Sequence, residues 1–258
     1  MHDTIAYYES VDQGAAYNAL TGVADQIHRV VGDDIQIPAM NQIVAIAGGV
    51  ESAAAHRARL VAPSLRRRAN YQVTPLNTAA AGAVEPGSPQ AVVDLRRNPL
   101  AMIRGEQLNF EALADPVAAQ IQWGVVFLAA GPIEPVAGKI FTIRATGATA
   151  LVAGTWTNVT LTFDEDLPAG EYDVVGLRPQ SAGLIAARLV FIGGEARPGA
   201  LGVDAQADIQ DDMFRRGGLG VWGHFKDDEP PTVDCLAISA DATQEFYFDL
   251  VQTVEQAA

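Results

Sequence analysis

One pattern runs through this chain twice. Residues 37–61 open on Ile37-Pro38-Ala39, pass through an apolar run, and reach Ser52-Ala53 and then Ala58-Arg59-Leu60-Val61. Residues 167–190 open on Leu167-Pro168-Ala169, pass through a second apolar run, and reach Ser181-Ala182 and then Ala187-Arg188-Leu189-Val190. The Pro-Ala pairs lie 130 positions apart and the other two anchors 129 apart, in a chain of 258 residues. A shared tetrapeptide with two further anchors in the same order, broken by a single one-residue gap, predicts a duplicated unit. Two units are too few for a solenoid, which needs a stack of neighbours. They fit two copies of one small domain.

The spacing of apolar residues predicts the elements. Ala16, Leu20, Val23, Ile27, Val30 and Val31 recur at steps of three and four, which predicts a helix over residues 12–31 with Asp12 as N-cap and Gly32 as stop. Its apolar residues Leu20, Val23, Ile27 and Val31 would pack on the parent domain or dock an N-terminal arm (residues 1–35) onto a neighbour. From residue 36 onward short β-type segments take over: 43–47, 57–61, 71–74, 92–95, alternation at Leu108, Phe110 and Ala112, and a long strand over 119–129. Gly131-Pro132-Ile133-Glu134-Pro135-Val136-Ala137-Gly138 reads as a linker. Beyond it, alternation predicts strands at 139–144, 157–163, 172–177, 187–192, 219–226, 232–239 and 245–254, the last with Phe246, Phe248 and Leu250 on one face. Many short strands separated by Gly, Pro and Asp turns predict sandwiches. The predicted fold class is therefore all-β, two tandem jelly rolls over residues 36–132 and 133–258 behind a short N-terminal helix. The first half is richer in Ala and Arg than the second, so a single roll with an elaborated N-terminal region is the alternative.

Chemistry is sparse. The histidines, His2, His28, His56 and His224, are scattered without metal-ligand spacing. There is no Gly-x-Ser-x-Gly elbow and no phosphate-binding glycine loop, and the single cysteine, Cys235, excludes a disulfide framework. His224, beside Trp222 in an alternating run, reads as structural, and Cys235 as a small buried hydrophobe. The acidic groups Asp33-Asp34, Asp164-Glu165-Asp166, Asp211-Asp212 and Asp227-Asp228-Glu229 read as solvated turns without the spacing of a calcium loop. A net charge of −14 argues against nucleic-acid binding as the main task. Met1 to Gln13 is polar and acidic, unlike a signal peptide, and no apolar run approaches the roughly 18 residues of a membrane span, so a soluble chain made in the cytoplasm is expected. Against the acidic background stand Arg66-Arg67-Arg68, Arg96-Arg97 and Arg215-Arg216, read either as ion-pair partners or as contacts to other subunits, lipid headgroups or genome phosphates.

A duplicated β-sandwich with no catalytic constellation resembles the double jelly-roll major capsid proteins of small icosahedral bacterial viruses with an internal membrane, such as corticoviruses and finnlakeviruses. The run Leu167-Pro168-Ala169-Gly170-Glu171-Tyr172-Asp173-Val174-Val175-Gly176-Leu177, with Ala187-Arg188-Leu189-Val190 and Arg197-Pro198-Gly199 after it, carries the likeness. The resemblance implies a homotrimer of pseudo-hexagonal outline that tiles a shell in the virion. It implies no catalytic residue, cofactor or metal. The implied partners are further copies of the chain, minor capsid or penton proteins and an internal membrane, without specific nucleic-acid recognition. Two other classes stand beside it. A carbohydrate- or receptor-binding sandwich of a spike or tail predicts an exposed aromatic platform, with Trp156, Trp222 and Tyr247 as candidates, although aromatics make up only 7% of the chain. An enzyme requires clustered histidines or carboxylates.

Overall fold

The computed structural model describes residues 1–10, 16–37, 39–50, 57–66, 71–73, 77–78, 92–113, 121–203 and 212–255. The chain divides into two compact units, an N-terminal one of Ile5–Gly131 and a C-terminal one of Pro132–Ala258 joined by Met1–Thr4. The break after Gly131 falls in the Gly- and Pro-rich stretch.

The first strand, β1 (His2–Glu9), contributes to the N-terminal unit from Ile5 onward. That unit continues with β2 (Asn18–Ala19), β3 (Thr21–Gly22), β4 (Arg29–Val31), β5 (Asp34–Gln36), β6 (Gln42–Val50) and β7 (Arg57–Val61). After a single helical turn, α1 (Pro63–Arg66), come β8 (Tyr71–Val73), β9 (Asn77–Thr78), β10 (Val92–Asp94), β11 (Leu100–Ala101), β12 (Gln107–Leu113) and β13 (Gln122–Ala129). One sheet runs β10-β6-β13-β1-β3, with β9 and β11 also on β6; the other runs β4-β5-β12-β7-β8, with β2 also on β12.

The C-terminal unit holds β14 (Ile140–Gly147), β15 (Thr157–Val159), β16 (Thr162–Phe163), β17 (Gly170–Gln180), β18 (Leu184–Val190), β19 (Gly199–Leu201), β20 (Gly223–Lys226), β21 (Thr232–Ala237) and β22 (Gln244–Glu255). Its sheets run β16-β14-β22-β17-β20 and β15-β21-β18-β19.

The pairings identify the fold. Take β1, β5, β6, β7, β8, β10, β12 and β13 as eight principal strands of the first unit. The first then pairs with the eighth, the second with the seventh, the third with the sixth and the fourth with the fifth. The same ladder joins β14 to β22, β15 to β21, β17 to β20 and β18 to β19 in the second unit. In both units this long folded-over hairpin splits into sheets of strands 1-8-3-6 and 2-7-4-5, which is the jelly-roll arrangement. Both copies of Ala-Arg-Leu-Val lie on the fourth strand, β7 and β18. Ala39 and Pro168-Ala169 lead into the third strand of each unit, and Ser181-Ala182 turns from β17 to β18; Pro38 and Ser52-Ala53 lie outside the described residues.

Central strands are buried on both faces, so they read as continuous apolar runs. β6 is buried from Ile43 to Val50 and β13 throughout. β22 instead alternates in its first half, with Phe246 and Phe248 buried between half-buried Glu245 and Tyr247, and is buried continuously from Phe248 to Val251. Tyr7, Phe110, Trp123 and Phe127 fill the first core, and Tyr172, Phe214, Phe246 and Phe248 the second, each below 1% exposure. Each such side chain contributes roughly 1.5–3 kcal/mol by leaving water. The hydroxyls of Tyr7 and Tyr172 donate to the Leu108 and Pro168 carbonyls at 2.5 Å, which satisfies their polar ends.

The expected N-terminal helix is corrected. Residues 11–15, with the Asp12 cap, lie outside the described residues; residues 16–31 hold β2, β3 and β4. Asp25 accepts the amide hydrogens of Ile27 at 2.8 Å and His28 at 2.6 Å, a local turn that competes with helical bonding. Val31 pairs with Asp34, so Gly32-Asp33 form a two-residue hairpin loop, with Gly32 at φ 65°. The residue read as a helix stop is a hairpin turn. The apolar residues read as an arm, Leu20 and Val23, are buried in the N-terminal unit, and Ile27 and Val31 are half-buried there. Two strands are also shorter than expected: residues 157–163 split into β15 and β16, and only Gly223–Lys226 of 219–226 is strand, behind a 3-10 turn at Asp212–Phe214. No helix is long and apolar enough to cross a membrane among the described residues.

Candidate functional site

The repeated tetrapeptide builds the same constellation in each unit. On β7, Arg59 stands directly opposite Glu111 of β12, and its Nε donates to the Glu111 carboxylate. The Arg59 guanidinium lies over the ring of Tyr17, 4.3 Å from its centre. On β18, Arg188 stands directly opposite Asp234 of β21, donating from Nη2 at 3.2 Å and Nε at 3.3 Å. The Arg188 guanidinium lies over Trp156 at 4.0 Å, and Nη1 donates to the Thr4 carbonyl at 3.4 Å. In both units the carboxylate comes from the seventh strand and the ring from the segment just ahead of β2 or β15. Arg188 is 1% exposed and the Arg59 side chain 27%.

The basic clusters divide between internal and exposed roles. Arg96 folds back on Asp94, with Nη2 at 2.7 Å and Nε at 3.0 Å, and holds that carboxyl below its usual range. Arg215 grips Asp249 of β22, Nε at 2.6 Å and Nη2 at 2.9 Å. Thr142 and the Arg216 amide complete the shell of Asp249 at 2.6 and 3.0 Å. Burial pushes the Asp249 pKa up, but the Arg215 and Thr142 hydrogen bonds outweigh it and leave the carboxyl below its usual range. Arg97 and Arg216 are exposed. Arg66 is exposed at the end of α1, on the rim of a 240 Å³ cavity that also touches Asp34, Asn109 and Glu111. Arg67 and Arg68 lie outside the described residues.

The remaining candidates do not converge. Among the described residues no group of three or more His, Cys, Asp or Glu side chains could hold a metal ion. His56 lies outside the described residues. His28 is buried against Asp25, with Nδ1 2.5 Å from Oδ2. His224 is half-exposed, with Asp173 at 3.1 Å and Glu171 at 3.3 Å. Trp222, offered as part of an exposed aromatic platform, is 4% exposed and cannot present a face to a sugar. Cys235 is fully buried, and burial pushes its thiol pKa up.

Nothing in the residue pattern announces the seat of the first residues. His2, Asp3 and Thr4 are polar and look like a solvated tail, yet all three are buried in the C-terminal unit. The Thr4 amide donates to the Arg197 carbonyl at 2.9 Å, and the Arg197 amide donates to Asp3 Oδ1 at 2.9 Å. His2 packs edge-on to Trp222, ring centres 4.6 Å apart.

No protein-family model matches the chain, and no curated protein matches it. Among solved structures it is similar to the major capsid protein P2 from Bacteriophage PM2, at 12% identity over 100% of both chains with a TM-score of 0.25, a distance at which no function transfers.

Proposed function

We propose that this chain is a viral coat protein that assembles with copies of itself into a shell. The observation that carries the reading is the identical strand ladder of the two units. Three copies of a chain with two like rolls present six similar units around one axis, so a cyclic trimer becomes a near-hexagonal tile. Jelly rolls also serve as lectins and cupins, so the fold alone does not decide. A cupin-type site needs clustered histidines, and none is found among the described residues. A glycan platform of the expected kind loses Trp222 to the core. Exposed Arg66, Arg97 and Arg216, on a chain of net charge −14, suit pairing with carboxylates of neighbouring copies. In this reading the protein resides in the virion, tiles beside minor capsid or penton proteins, and faces an internal membrane.

Electron microscopy of the purified, concentrated protein tests the proposal. Pseudo-hexagonal particles or closed shells support it. Isolated single chains at every concentration sink it.

A further inference from the structure

His2 is fully buried, and neither ring nitrogen has a hydrogen-bonding side chain. The charged groups around it are few. On its own segment stand the Met1 amine and the Asp3 carboxylate. Arg188 reaches the Thr4 carbonyl from β18, and Arg197 bonds to Asp3 and Thr4 from the segment ahead of β19. Trp222, which packs on the imidazole, carries no charge. Asp3 Oδ1 already accepts the amides of Thr4 at 2.8 Å and Arg197 at 2.9 Å. The seat is tight: a Cβ on Gly199 would lie 3.0 Å from Thr4 Oγ1 and 2.5 Å from the Ala187 carbonyl. It lies beside β19, the end strand of its sheet.

We propose that His2 is a proton-operated catch: neutral, it seats Met1–Thr4 in the C-terminal unit; protonated, it is expelled, and the seat beside the edge strand β19 opens. A buried imidazolium lacks the water it would have in the released chain, and among the described residues no side chain hydrogen-bonds to the ring in place of that water. Burial, reinforced by the Met1 amine and opposed by Asp3 and by the Gly199 backbone, holds the imidazole pKa down at about 3, against 6.5 when free. Between those values each pH unit downward favours release by up to about tenfold, roughly 200-fold in all at pH 4 relative to neutral pH. An opened edge strand offers unpaired backbone groups to an added strand. The catch does not depend on the coat-protein reading.

Hydrogen exchange followed by mass spectrometry tests it, with the native chain and His2→Phe compared at matched pH from 7 to 4. The ring of Phe keeps the edge contact to Trp222 and takes no proton. The native chain should lose protection over residues 1–4 and 195–203 in acid while 5–9, 184–190 and 232–237 stay protected, and His2→Phe should keep protection throughout. Equal losses in both chains, or no loss in the native chain by pH 4, overturn the proposal. Should His2→Phe fail to fold, the His2 ring signals of the native chain serve instead. They should shift at the pH where protection is lost; a titration near 6.5 with protection intact overturns the catch.

Discussion

Arg59 and Arg188 occupy the same place in two different rolls. Each is the second residue of Ala-Arg-Leu-Val on a fourth strand, each faces a carboxylate on the seventh, and each lies over an aromatic ring. Their burial differs, and so should their weight. Arg188→Met strips Asp234 of its guanidinium, uncovers Trp156 and leaves the Thr4 carbonyl short of a donor. That change should cost about 2–4 kcal/mol. Arg59→Met, at a pair partly open to water, should cost about 1 kcal/mol. Urea unfolding of the two variants measures the difference; equal losses would show that the shared geometry carries no shared dependence on burial.

Gly49 faces Trp123 across β6 and β13. A Cβ at Gly49 would lie 2.5 Å from the indole ring. Trp123 is fully buried and has nowhere to move, so Gly49→Ala should destabilise by about 1–3 kcal/mol through overpacking. A lowered melting temperature checks this; an unchanged one contradicts the packing.

Asp249→Asn should cost about 3 kcal/mol at neutral pH, because Arg215 loses its charged partner in a buried shell. The sign with pH follows from the lowered pKa. Unfolded, Asp249 takes up a proton near pH 4; folded, it resists until lower pH. Its stabilisation is therefore full above about pH 4 and drains away below it. Melting curves of the two chains should converge in acid, and a constant gap would contradict the assignment.

Cys235 should be inert. Burial raises its thiol pKa, Asp234 beside it acts the same way, and no solvent path reaches the sulfur. An aromatic disulfide reagent at pH 8 should label the folded chain at a small fraction of the rate seen in urea. Equal rates would mean that β21 is not packed as described.

The strand content was legible because alternation and turn residues speak locally. Phe246, Phe248 and Leu250 announced β22, and the Ala-Arg-Leu-Val pair marked equivalent strands before any pairing was known. The N-terminal segment misled because Leu20, Val23, Ile27 and Val31 happen to fall at helical steps, while the turn at Asp25 and the hairpin at Gly32-Asp33 act through hydrogen bonds and φ rather than through periodicity. The seat of His2 to Thr4 was invisible because its partners, Arg188, Arg197 and Trp222, lie in the far half of the chain. Runs of arginine do not say which members are satisfied: Arg96 and Arg215 find carboxylates within their own units, whereas Arg97 and Arg216 beside them stay exposed.

The mass of the native species by multi-angle light scattering tests the central claim most directly. A coat protein of two like rolls should run as a trimer of about 80 kDa, three chains of 27.2 kDa, or as a far larger closed shell. A stable 27.2 kDa monomer that persists as concentration rises would contradict it.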